Sequence, residues 1–336
     1  RFPGSPGPEA LWDRLAAGED LVTRWPKERW DLLRPFFPHL PAYDPDDAPW
    51  GGFIEDIDRF DADLFRMTPR EAKALDPQQR LLLEIAWEAF EDAGQGPNDL
   101  SGSRTGVFLG ISSHNYGVTS YNRAETDLYT TTGTSNAVAA NRLSYQWNLR
   151  GPSMTIDTAC SSSLVAVHLA CRSLWSGEST ASLAGGVSLM LLPQVTQSFA
   201  SAGFMASDGR CKAFDARADG YVRGEGTGLV LLKLLPTAIA DGDRIHCVIR
   251  GTAVNQDGRS NGLTAPNRHA QSQLLRDAYE DAGMESSEVD YIEAHGTGTK
   301  LGDPMEAKAL AEALGTARRT DRPCLVGAIK TNIGHL

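Results

Sequence analysis

Cysteine is scarce and scattered. The five thiols are Cys160, Cys171, Cys211, Cys247 and Cys324. An odd number with no C-x-x-C pair is neither a disulfide framework nor a zinc site, so no metal is expected and a reducing, cytoplasmic setting fits best. Long apolar runs are missing too. Residues 183–192 form one of the longest, far short of the roughly 20 residues a membrane-crossing helix needs. No charged stretch followed by an apolar one opens the chain, so no secretory leader is read. Positive charge is in deficit: 32 Lys and Arg against 43 Asp and Glu give a net charge of −11. That balance argues against nucleic acid or an anionic membrane as partner. No Gly/Ser or Pro tract and no fixed-period repeat divides the 336 residues, so they read as one fused unit.

What is present is ordinary globular material, 41% hydrophobic and 22% charged, enough to build a core without staples. Its 33 glycines sit in short clusters between apolar runs, as in tight turns and close backbone approaches. Pro8 at a first helical position and Gly18 as a stop predict a helix over 8–17, with Leu11, Trp12 and Leu15 on one face. Residues 19–60 show no sustained period and read as a long irregular arm, functional or packed on a partner. Asp76-Pro77 opens the clearest helix, closed by Gly94, with Leu81, Leu82, Ile85, Ala89 and Phe90 on its apolar face. Strands are expected over 105–111, 153–156, 182–192, 227–235, 246–254, 289–293 and 324–329. Helices are expected over 136–147, 160–174, 268–281 and 303–314. Alternation of this kind argues an α/β class with central sheets. Both ends read as cut from a longer polypeptide.

Three segments carry chemistry. In Asp157-Thr158-Ala159-Cys160-Ser161-Ser162-Ser163, Cys160 joins a strand to an apolar helix expected to be central and buried. A thiol there sits at the positive end of the helix dipole, which favours the thiolate, and nearby amides can hold an oxyanion. In Glu293-Ala294-His295-Gly296-Thr297-Gly298-Thr299, a His follows a strand and leads into a Gly/Thr loop suited to an extended polar ligand. A helix with Asp303 as N-cap and Pro304 at its first position comes next. It is no phosphate-binding Walker loop, since the Gly-Lys-Ser/Thr ending is missing. In Lys330-Thr331-Asn332-Ile333-Gly334-His335, a second His lies past an apolar strand. Lys330 beside two imidazoles would keep them neutral by like-charge repulsion. Gly224-Glu225-Gly226-Thr227-Gly228 is not a dinucleotide fingerprint, because a strand rather than a helix follows it. His168 reads as a packed core His, and the other four cysteines as packing residues.

Together the three segments resemble the β-ketoacyl synthase family, and most of all the ketosynthase domains of modular type I polyketide synthases. Arg1-Phe2-Pro3-Gly4, Asp76-Pro77-Gln78-Gln79-Arg80 and Asp208-Gly209-Arg210-Cys211-Lys212-Ala213-Phe214-Asp215 add to the likeness, which covers the whole chain. The family's opening strand and closing Gly/Phe-rich segment fall outside this sequence. The resemblance implies a thiolase-like α-β-α-β-α fold of two similar halves, about 1–235 and 236–336, in a homodimer. It implies an acyltransferase that needs no cofactor of its own, its substrates riding on the phosphopantetheine arm of an acyl carrier protein. Carrier and acyltransferase domains are expected on the same polypeptide. Cys160 would take the acyl chain, His295 and His335 would stabilise the extender enolate, and Thr297 and Thr299 would bond the pantetheine arm. Lys330, Asp303 and Glu306 would support them. Loading-type domains with Gln for Cys, and non-elongating domains without the first His, do not match. A fatty-acid type synthase, an acyl-holding domain and a degradative thiolase are the alternatives. Since carrier proteins are acidic, Arg210, Lys212 and Arg217 are candidate docking cations.

Overall fold

A computed structural model describes residues 1–96, 98–121, 126–315 and 323–336. The N-terminal stretch runs α1 (Pro8–Ala16), β1 (Val22–Arg24), α2 (Lys27–Leu33), β2 (Trp50–Gly52), α3 (Pro69–Ala74) and α4 (Pro77–Asp92). Next come β3 (Thr105–Gly110), α5 (Asn115–Tyr121), α6 (Leu128–Thr134), α7 (Asn136–Gln146), β4 (Ser153–Ile156), α8 (Ser162–Trp175) and β5 (Ala181–Ser188). The remainder is α9 (Pro193–Ser201), β6 (Gly226–Leu232), α10 (Leu235–Asp241), α11 (Arg268–Ala282), β7 (Tyr291–Glu293), α12 (Gly302–Leu314), β8 (Leu325–Gly327) and α13 (Lys330–Ile333).

The main sheet has the order β4-β3-β5-β6, with β3 parallel to both neighbours and β6 antiparallel to β5. Strand alternation explains its two faces. Val107 and Leu109 of β3 and Leu183 of β5 join Leu82 and Leu83 of α4 and Leu143 of α7 in the largest core cluster. Phe108 and Ala184 face the other way, onto Ala166 and Ala170 of α8. Asp76 caps α4 by accepting from the Gln78 amide, as its Asp-Pro start predicts. The last residue of β3 must be small: a Cβ on Gly110 would lie 2.6 Å from the Ser163 amide nitrogen. That close approach brings the start of α8 onto the end of the sheet.

A second, parallel pair is formed by β7 and β8, in register Ile292 to Val326. Among the described residues, no strand forms over 246–254, where Val248 and Val254 stay about half exposed. The strand expected over 182–192 ends at Ser188, and Leu189–Leu192 turn into α9. The arm over 19–60 is not unsupported. Trp25, Trp30, Leu33, Leu40 and Phe53 pack with Met190 and Leu192 of this same chain. Nor is α8 buried all round. Ala166, Ala170, Cys171 and Leu174 are covered, but Leu164 is 75% exposed.

Candidate active site

Cys160 lies before α8 rather than in it, inside a 3-10 turn over Ala159–Ser161. The preceding Ala159 takes φ +55°, the left-handed region that costs an L-residue energy. Its amide donates to Asp157 Oδ1 at 3.0 Å, which also accepts from the Ser112 hydroxyl at 2.8 Å. Ser162 Oγ accepts from the Thr158 amide at 2.9 Å and donates to the Ala159 carbonyl at 2.6 Å. These bonds hold the turn and leave Cys160 exposed at its tip. The expected lowering of the thiol does not prevail. Protein packed around the exposed residue strips enough water to push the thiol above its ordinary value, against its own amide and Lys330.

His295 follows β7 on a loop that a carboxylate arranges. Glu306 of α12 accepts the His295 amide at 2.6 Å and the Gly296 amide at 2.8 Å. Asp303 does not cap α12, contrary to expectation: the helix starts at Gly302 and Leu301 occupies the cap position. The Asp303 carboxylate instead accepts from the Gly298 amide at 3.0 Å and the Phe214 amide at 2.6 Å. It thereby joins the Gly/Thr loop to residues 211–214. Thr297 is buried, with its hydroxyl 3.3 Å from that of the half-buried Thr299, which accepts the Gly302 amide at 3.1 Å.

His335 is held through its backbone. Its amide donates to the Val222 carbonyl and its carbonyl accepts from the Gly224 amide, both at 2.7 Å. The His295 and His335 rings lie 5.4 Å apart, nearly perpendicular. Burial, then His295, Lys330 and Arg223, lower His335 to about 3. His295 is exposed as a residue, but protein packed around its ring, with Lys330, lowers it as well, against Glu306 and Asp303. Both imidazoles are therefore neutral at pH 7. The repulsion from Lys330 expected for them is present, and desolvation is the larger cause. Lys330 begins α13, directly after Ile329, whose amide Glu293 accepts at 2.7 Å. Its charge acts on Cys160, His295 and His335 alike. The three residues thus share one neighbourhood.

Tyr221 belongs to it as well, although no motif in the sequence singles it out. Its ring lies 5.4 Å from His335, and burial first and Cys160 second raise its phenol above the ordinary value. The signal available is position: it stands three residues before Gly224, in a stretch that pairs with the His335 segment.

Other expectations resolve away from the site. His168 is half-buried and meets the Thr252 hydroxyl at 2.8 Å. Cys171 and Cys211 are buried and Cys324 is half-buried, but Cys247 is exposed. Of the candidate docking cations, Arg210 pairs with Asp20, Lys212 with Asp208 and Asp219, and Arg217 with Asp215.

A thiol at a strand–helix junction and two imidazoles of lowered basicity, all reached by the charge of Lys330, stand on one α/β scaffold, a set of groups suited to covalent acyl chemistry. The chain belongs to the β-ketoacyl synthase family: the family's N-terminal domain matches residues 1–238 and its C-terminal domain residues 246–336. It is 52% identical over its whole length to one phenolphthiocerol/phthiocerol polyketide synthase polypeptide of Mycobacterium tuberculosis, of which it covers 18%. A second polypeptide of the same synthase is 49% identical, with 22% covered. The chain therefore spans about a fifth of these curated relatives. Among solved structures, the ketosynthase from module 6 of the bacillaene synthase of Bacillus subtilis 168 matches at TM-score 0.88 and 41% identity. All of this chain and 56% of that one are covered. An oxazolomycin ketosynthase domain from Streptomyces albus matches at 0.88 and 40%, covering all of this chain and 58% of its own. The fold is the thiolase-like α/β fold of these ketosynthases.

Proposed function

We propose that the protein is a condensing ketosynthase that extends an acyl chain by decarboxylative Claisen condensation in polyketide biosynthesis. The observation that carries this is the perpendicular pair of imidazoles, 5.4 Å apart, which share the charge of Lys330 with Cys160. Cys160 sulfur attacks an acyl thioester, the carrier thiol leaves, and an acyl-Cys160 thioester remains. His295 and His335 donate hydrogen bonds to the carbonyl of a malonyl-type extender thioester. Its carboxylate departs as CO2 and leaves an enolate, whose charge those donors stabilise. The enolate carbon attacks the acyl carbonyl, a carbon–carbon bond forms, the carbon–sulfur bond to Cys160 breaks, and a β-ketoacyl thioester is released. Neutral donors suit this step because decarboxylation leaves an anion on the extender carbonyl, while a protonated imidazole would also bind and stabilise the departing carboxylate.

In this reading no cofactor resides in the protein. Substrates arrive on the phosphopantetheine arm of an acyl carrier protein, with Thr297 and Thr299 lining its path. Carrier and acyltransferase domains on the same polypeptide fit the far greater length of the curated relatives. A homodimer is supported by the open edge of β4 with Met154 and Leu164 exposed nearby. A cytoplasmic setting accords with the free thiols and with the lack, among the described residues, of any helix long and apolar enough to cross a membrane.

The test is mass spectrometry of the intact polypeptide with an acyl thioester, followed by malonyl carrier protein. Cys160 gains the acyl mass, then loses it as CO2 and a β-ketoacyl thioester appear. His335→Ala and His295→Ala still acylate but condense about 10²–10³-fold more slowly. With His335 neutral down to about 3, condensation shows no acid limb from its protonation between pH 5 and 8. Acylation without carbon–carbon bond formation in the unaltered protein would make it an acyl-holding domain. Thiol-dependent cleavage of a β-ketoacyl thioester in preference to condensation would make it a thiolase.

A further inference from the structure

The glycine-rich stretch that fails as a nucleotide loop contains a deeply buried carboxylate near the site. The Glu225 side chain is fully buried and well bound. Its Oε1 accepts from Arg29 Nη1 at 2.7 Å and from the Met190 amide at 2.8 Å, and its Oε2 accepts from the Ile54 amide at 2.8 Å. Arg29 of α2 is 15% exposed, also donates to the Ile54 carbonyl, and lies over the Phe53 ring at 5.5 Å. One ion pair thus ties together the arm, the end of the main sheet and the loop before β6.

That loop is what holds His335. Gly224, next to Glu225, donates to the His335 carbonyl, and Val222 accepts the His335 amide. On the other side, Gly52 donates to the Arg223 carbonyl at 3.0 Å and accepts from the Glu225 amide at 2.8 Å. There is no slack between the layers: a Cβ on Gly52 would lie 2.1 Å from the Ile333 carbonyl oxygen. The arm reaches the same segment directly. The Leu21 amide donates to the Asn332 carbonyl at 2.8 Å, and Asn332 Nδ2 donates to the Glu19 carbonyl at 2.9 Å. The Cys160 turn is braced differently, by Asp157, Ser112 and Ser162.

We infer that Arg29 and Glu225 are positioning residues for His335, and that the arm they anchor serves the decarboxylation half of the reaction rather than acylation. The inference rests on the condensing role proposed above. It follows from the direction of the contacts: the clamp acts on a histidine ring through two backbone hydrogen bonds, and a misplacement of about 1 Å can cost about 10²-fold in rate. Because the clamp reaches the histidine through its backbone, the chemistry of the donor is unchanged while its aim is altered.

Arg29→Lys in the intact protein is the first test. It keeps the charge but replaces the two-pronged grip on Glu225 and the Ile54 carbonyl with a single ammonium. CO2 release is measured from a malonyl thioester of N-acetylcysteamine, and Cys160 acylation is timed separately with a hexanoyl thioester. The expected result is a fall of about tenfold or more in kcat for CO2 release with KM unchanged, and acylation within about twofold of the unaltered protein. Glu225→Asp, which keeps the charge and draws it back by one methylene, gives a loss of the same kind. Glu225→Gln tests the charge itself, and because breaking a buried pair can unfold a protein, Arg29→Lys decides if that variant is insoluble. A proportional fall in acylation and CO2 release, or no fall in either, overturns the assignment. An unaltered protein that acylates Cys160 but releases no CO2 overturns the condensing reading itself, a result distinct from any behaviour of the variants.

Discussion

The cysteine turn and the two histidine loops are held by different means. Cys160 stands on β4 and α8, at the edge of a sheet whose residues Val107, Leu109, Leu183 and Ala184 are completely buried. The histidine loops stand on the β7–β8 pair, where Tyr291 and Leu325 are 55% and 63% exposed. Yet the His295 loop is no less defined, because carboxylates do there what apolar burial does in the main sheet, while His335 is held by backbone bonds to Val222 and Gly224. Glu306 accepts two amides at His295 and Gly296, Asp303 two at Gly298 and Phe214, and Glu293 one at Ile329. A charged acceptor makes a stronger hydrogen bond than a neutral one and fixes direction, which packing does not. One region is stable because it excludes water. The other is precise because its loop amides point at anions.

The largest effect that would sharpen this contrast is one of stability. Leu183→Ala removes a fully buried side chain from the main sheet and should cost about 2–5 kcal/mol. Leu325→Ala, at 63% exposure, should cost within about 0.5 kcal/mol. Denaturant midpoints of the two variants measure the difference. Equal losses would show that β7–β8 carries a core of its own and break the comparison.

A smaller effect is expected where the anions act. Glu306→Gln puts an amide where two backbone amides now find oxygens, so one donor faces another. About 1.5–3 kcal/mol of hydrogen bonding is at stake. The loss should fall on condensation, by about tenfold or more as the His295 ring loses its aim, with Cys160 acylation close to unchanged. If acylation fell equally, the loop would be part of one undivided core.

The same division explains what can be read from the sequence. Elements set by local rules are legible: the Asp76-Pro77 start of α4, the junction at Cys160 and both histidines. Each depends on residues within a few positions of one another. Roles that depend on distant backbone are not legible. Asp303 looks like a helix cap because it precedes Pro304, but its oxygens serve Phe214, 89 residues away. Glu225 sits in a glycine-rich stretch that resembles a nucleotide loop, and only the fold brings Ile54 and Met190 to it. The strand expected over 246–254 has the right composition, but a strand also needs a neighbour, and composition does not supply one. The thiol runs opposite to expectation because dipole reasoning counts the helix and leaves out desolvation, and here desolvation is the larger cause.

The smallest effect concerns the Cys160 turn, a place in the apolar region where polar groups set the geometry. Ala159 at φ +55° costs about 1 kcal/mol or more relative to glycine, and Asp157, Ser112 and Ser162 hold it there. Ala159→Gly relieves that cost in the folded state but gives the unfolded chain more freedom, so the net gain in stability should be no more than about 1 kcal/mol. The rate should move the other way. A glycine lets the turn sample other conformations, and the thiol at its tip then spends less time aimed outward. Acylation of Cys160 should slow severalfold while thermal stability holds or rises slightly. Asp157→Asn weakens the same brace from the opposite side, since it replaces a charged acceptor for the Ala159 amide with a neutral one. It should slow acylation while lowering stability. Opposite signs in stability with the same sign in rate are the signature of a strained, braced turn. Two variants that moved stability in the same direction would mean that the left-handed residue is merely tolerated.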